Sequence, residues 1–166
     1  MSLKNAFIAE LKHESALTKK MLEKVPLDKK DWNWKPHEKS MTVGRLATHV
    51  AEITMWVSRI LNAADFDFAA NNFAPYTASS TEELIAIFDK NLTAALADLE
   101  KTTDDEFDKI WVVRAGEKVL MQFPKKVAIR AWAFSHIIHH RGQLSVYLRL
   151  LHVPVPGMYG PSADEK

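Results

Sequence analysis

Residues 133–151, AFSHIIHHRGQLSVYLRLL, decide the reading of this chain. The segment is strongly helical in character, and it places His136 and His140 four residues apart. At 100° per residue they sit about 40° apart on one face, one turn above the other. Ile129, Trp132, His136, His140, Gln143, Tyr147 and Leu150 all project within about 40° of that direction. The stripe is apolar at both ends and polar in the middle. A helix that merely packs does not normally carry two histidines and a glutamine at the centre of its buried face, because buried polar groups need partners. Two imidazoles on one face can hold a divalent metal if a third ligand arrives from elsewhere.

Working outward, the sequence divides into four predicted helices with no internal repeat. The first spans 3–25 and stops before Pro26. A turn-rich stretch, DKKDWNWKPHEKS, follows, and Ser40 is the expected cap of a second helix running to about residue 62. The connection 63–79 is long for a bundle, which suggests a crossover or the border of a site. Ser80 and Glu83 form a candidate capping box for a third helix ending near residue 102. KIWVVRAGEKVLMQF then reads as two short extended runs around Ala115-Gly116, a candidate hairpin. Pro124 suits the first turn of the last helix, which runs to about residue 151. The tail, HVPVPGMYGPSADEK, is too rich in proline and glycine to be helical. The expected fold is all-α, a single four-helix bundle over residues 1–166 with a small hairpin before the last helix.

The same projection locates a third ligand. Thr42, Leu46, His49, Ile53, Trp56 and Ile60 form one stripe of the second helix, with His49 at its centre. A lone histidine on an apolar stripe is more often a hydrogen-bonded core residue, and His136 with His140 alone could be a surface pair. All three standing mid-stripe favour a metal site. Three neutral imidazoles from two helices suit zinc, nickel or a similar divalent ion, and leave a coordination position open. His13 and His37 lie at polar positions, His152 follows the last helix, and His139 points about 60° off the stripe.

Other polar residues have weaker claims. Glu14 shares a face of the first helix with Leu3, Phe7, Thr18, Met21 and Val25, so it is a candidate partner of an imidazole N–H or a general base. The alternative is a helix-edge glutamate reaching solvent. Gln143, one turn beyond His140, is a candidate hydrogen-bonding group toward substrate or ligand. Glu52 lies about 60° off the His49 stripe, which disfavours it as a carboxylate ligand. Arg141 points away from the histidines and suits an ion pair between helices. Trp56 and Trp132 share the histidine stripes and could line a pocket.

Composition bounds the function. In 166 residues, 47% hydrophobic, there is enough apolar material for one sizeable core. A net charge of +1 offers no basic field for nucleic acid. The apolar runs are far shorter than a membrane span, and residues 1–30 lack the layout of a signal peptide, so a cytoplasmic setting is expected. With zero cysteines there is no disulfide, no zinc–thiolate site and no protein thiol nucleophile.

RLATHVAE around His49, the block SHIIHHRGQL, the WKP before the second helix and the ending VPGMYGPSADE together resemble the DinB-like superfamily over nearly the whole chain. The resemblance implies a four-helix bundle of up-down-down-up topology, a divalent metal on the positions matching His49, His136 and His140, and frequent homodimers. Characterised members include thiol S-transferases and isomerases that use bacillithiol, mycothiol or glutathione. The family name does not imply DNA binding. The expected function is that of a metal-dependent enzyme acting on a small molecule, a transferase using a low-molecular-weight thiol cosubstrate. Two alternatives are a hydrolase using metal-activated water, with Glu14 as base, and a non-enzymatic metal-binding stress-response bundle.

Overall fold

A computed structural model describes residues 2–25, 29–71 and 74–165. In chain order these form α1 (Leu3–Leu22), α2 (Lys29–Trp32), α3 (Val43–Glu52), α4 (Met55–Asn62), β1 (Asp65–Asp67) and α5 (Thr81–Lys101). A 3₁₀ turn (Asp104–Asp108), β2 (Ile110–Ala115), β3 (Lys118–Pro124) and α6 (Lys125–Ile129) follow. A π-helical turn (Arg130–Phe134) then leads into α7 (Ser135–Leu150). The Pro26 stop signal lies outside the described residues.

Short polar side chains set the helix starts, because each satisfies a backbone N–H that the first turn leaves unpaired. Ser2 accepts from the Asn5 N–H at 3.3 Å, and Ser80 accepts from the Glu83 N–H at 3.2 Å. The Glu83 carboxylate reaches back to the backbone and hydroxyl of Ser79 rather than to Ser80. The expected cap at Ser40 is corrected to Thr42, whose hydroxyl accepts from the Arg45 N–H at 3.2 Å. Just inside that start, Trp32 lies across Gly44. A β-carbon there would stand 2.0 Å from the indole Nε1, so only glycine admits this approach.

The expected single second helix is divided at Ile53-Thr54, where Trp56 and Val57 bond three residues back, to Ile53 and Thr54. Asn91 of α5 donates to the Ala51 carbonyl beside the break.

The all-α, four-helix-bundle reading with up-down-down-up topology is corrected by a three-stranded mixed sheet of order β1-β2-β3. β2 and β3 pair antiparallel around Gly116, where the candidate hairpin was expected. β1 pairs parallel with β2, Phe66 opposite Val113, and it comes from the long 63–79 connection, read from the sequence as a crossover or the border of a site. Its sequence, Asp-Phe-Asp, is too short to show alternation, and acidic residues are poor strand formers. Tertiary contacts hold it instead. Asp67 accepts from the Gly116 and Ala69 N–H groups at 3.0 and 2.9 Å and pairs with Arg114 at 2.6 Å. Gly116 (φ 60°) takes the left-handed turn conformation that a side chain would disfavour.

The core has two parts. In one, Met21, Leu22, Leu46, Val50, Phe88, Ile137, Leu144 and Leu148 join α1, α3, α5 and α7. In the other, Phe7, Leu11, Trp56, Ile60, Phe66, Trp111, Val113 and Phe134 seat the inner face of the sheet against α1, α4 and the π turn.

The expected buried stripe of the last helix is also corrected. The buried residues of α7 are Ile137, Arg141, Leu144 and Leu148, one position on from the histidine stripe. The Ser135 N–H bonds to the Arg130 carbonyl five residues back, which accommodates one extra residue in that turn. Ile129 therefore lines up with Ile137 and Arg141 rather than with His136 and His140. The histidines stand half-buried at the edge of the packed face.

Candidate metal centre

Packing of Leu46 and Val50 from α3 against Ile137 and Leu144 from α7 brings the edges of these helices together. His49 on α3 and His136 and His140 on α7 meet there. One ligand nitrogen from each lies within 4.8 Å of the others, and His49 Nε2 is 3.1 Å from His136 Nε2. Trp56, seven residues after His49, packs on Trp132, four residues before His136, so the two helical stretches run in opposite directions.

Two hydrogen bonds orient the α7 imidazoles. His136 Nδ1 faces the Trp132 carbonyl at 3.2 Å; a carbonyl only accepts, so Nδ1 carries the proton and Nε2 the lone pair. His140 Nδ1 likewise donates to Gln143 Oε1 at 2.7 Å, freeing its Nε2. These are the contacts that fix imidazole ligands in metal sites. Tetrahedral coordination at bond lengths of about 2.05 Å separates ligand nitrogens by about 3.4 Å. The observed cluster needs only small ring movements to meet that, so the donor set fits a divalent ion.

Electrostatics favour the neutral, ligating forms. Burial, with the neighbouring His140, His136 and Arg45, lowers the His49 pKa to about 3. Burial is also the main cause lowering His136 and His140, partly opposed by their bonds to Trp132 and Gln143. The unfolded chain therefore takes up protons below the ordinary value of 6.5 that the folded, metal-free site refuses. Stability should be fully present above pH 6.5 and fall as the pH drops toward about 3. Melting temperatures of chelator-treated protein across this window, compared with His49→Gln, test this. The substitution is expected to flatten the profile, and identical profiles would refute the assignment.

Gln143 thus touches a predicted ligand directly. Glu14 is engaged elsewhere: its Oε2 accepts from Arg141 at 2.7 Å and from the Tyr159 hydroxyl at 2.9 Å. Arg141 also donates to the Glu14 carbonyl and Thr18 hydroxyl, each at 3.0 Å, forming the interhelical ion pair expected of it. Glu52 pairs with Arg45 at 3.2 Å. His139 is exposed, its ring 4.8 Å from that of His140. Sequence reasoning missed Arg45 beside the triad, although its place one turn before His49 was a readable signal. It also missed the Trp132 carbonyl and Tyr159, for which no spacing signal existed.

Fold and centre together define a helix-dominated domain with a three-imidazole cluster between two packed helices. The chain belongs to the DinB family, whose model matches residues 1–166. Its fold is similar to that of a DinB-like protein from Bacillus cereus ATCC 10987, with a TM-score of 0.72 and 21% identity, covering 93% of this chain and 97% of that one. It is also similar to the DinB-like protein YjoA of Bacillus subtilis, with a TM-score of 0.68 and 20% identity, covering 91% and 96%. No curated protein matches the chain at a significant level. Among the described residues, no helix is long and apolar enough to cross a membrane.

Proposed function

We infer that this chain holds a divalent metal ion, zinc or nickel by donor type, on His49, His136 and His140 and transfers a low-molecular-weight thiol to a small electrophilic substrate. The observation that carries the reading is the convergence of three neutral imidazoles at a half-buried edge. Three protein ligands leave room for an incoming group, as catalytic sites do and closed structural sites do not. When bound, such an ion lowers the pKa of a coordinated thiol, so that thiolate is available at neutral pH. The chain's own residues supply placement: the Trp132 carbonyl and Gln143 hold the His136 and His140 tautomers. With zero cysteines, the sulfur nucleophile must arrive with a substrate.

The hydrolytic alternative has less support, because the Glu14 carboxylate that would act as base is buried in an ion pair with Arg141 and bonded to the Tyr159 hydroxyl. A homodimer in the cytoplasm belongs to the same proposal, and light scattering would test the dimer.

Metal-stripped protein and protein reloaded with zinc or nickel should be melted with glutathione, bacillithiol and mycothiol. At a hundredfold excess over Kd, a thiol that binds only the folded, loaded form adds about 2.7 kcal/mol, a rise of several degrees. Equal shifts with and without metal would place the sulfur away from the ion. Metal binding without any thiol effect would leave the hydrolytic and non-enzymatic readings.

A further inference from the structure

The candidate centre differs at its two ends. Near His49 and His140 stands Arg45, whose guanidinium is held by Glu52 and the Tyr76 carbonyl. At the other end His136 shares an open cavity of about 270 Å³ with Ala131 and Trp132. We propose that this cavity receives the apolar, ring-bearing part of the small molecule that reacts at the metal, with Trp132 as the specificity-determining residue. The proposal rests on the metal reading above and narrows its substrate class.

The lining sets the chemistry. Beside His136 it offers a methyl group and an indole, so an apolar group laid there gains contact, while a charged one gains no polar partner from those two side chains. Trp132 is a fixed platform: it packs at steep angles against the buried Trp56 and Trp111, with ring centroids 4.8 and 5.6 Å away. Yet it is only half-buried itself, leaving aromatic surface beside His136. Phe68, 44% exposed, stands tilted 41° to Trp132 at 6.4 Å and is not among the residues that line the cavity. A rigid aromatic wall binds a flat apolar group with little loss of side-chain freedom. The depression is open to solvent, so it offers one face for a flat ring rather than an enclosure around it. The carbonyl of Trp132, not its ring, holds His136, so the indole can be replaced without disturbing that ligand.

The test uses the full chain loaded with Co²⁺ and two probes with the same metal-binding head, acetohydroxamate and benzohydroxamate, titrated by the visible absorption of the cobalt. Benzohydroxamate should bind about tenfold more tightly to the unaltered protein. In Trp132→Leu and Trp132→Ala the preference should fall to about threefold or less, while acetohydroxamate affinity stays within about twofold. Equal affinities in the unaltered protein, or a preference that survives in both Trp132 variants, would overturn the proposal while the cobalt spectrum kept the metal reading intact. Failure of Co²⁺ to bind would overturn both.

Discussion

His140→Ala is expected to abolish metal binding and leave the fold standing. One of three imidazole nitrogens is lost, so affinity should drop by more than about a hundredfold, beyond the 10–100-fold range that changes around a ligand produce. The metal-free fold has little to lose, because His140 is half-buried while Ile137, Leu144 and Leu148 carry the packing of α7. The melting temperature of the metal-free variant should therefore stay within a few degrees of the parent, corresponding to less than about 1 kcal/mol. Equilibrium titration with zinc and thermal melts in chelator measure the two effects separately. Near-normal zinc affinity in the variant would remove His140 from the centre.

Glu14→Gln should show the opposite pattern. Glu14 and Arg141 form an ion pair with side chains only 8% and 2% exposed, and the substitution leaves the guanidinium without its counter-charge. Breaking a buried pair by removing one partner costs about 3–5 kcal/mol, a large share of the roughly 5–15 kcal/mol that holds a domain together. Glutamine keeps the shape and one accepting oxygen, so the low end, about 3 kcal/mol, is expected. Urea unfolding should show it as a lower midpoint at unchanged slope. Zinc affinity should change by less than about threefold, because the Glu14 carboxylate is bound to Arg141 and Tyr159. An unchanged midpoint with lost zinc binding would reverse the roles assigned to Glu14 and His140.

The residues of the candidate centre were legible in the sequence because helical spacing is local. Four residues put His136 and His140 on one face whatever surrounds them, and the same rule centred His49 on its stripe. Ser80 as a cap, the turn at Gly116 and an interhelical ion pair for Arg141 were legible for the same reason: each depends on neighbours in the chain or on direction around one helix. The stripe's depth was not. A single π turn before α7 shifts the phase of everything upstream, and a 100° projection has no means of registering it. Nor could spacing show β1, whose three residues are held by Arg114 and the Gly116 turn, about fifty positions away in sequence. Glu14 shows the limit most clearly: its inward direction was readable, but its partners, Arg141 and Tyr159, come from α7 and the tail. Sequence alone thus determined which imidazoles could act together, through the periodicity of a hydrogen-bonded helix. Tertiary structure decided how deep they lie, what orients them and what stands beside them, because those contacts join residues that no local rule relates.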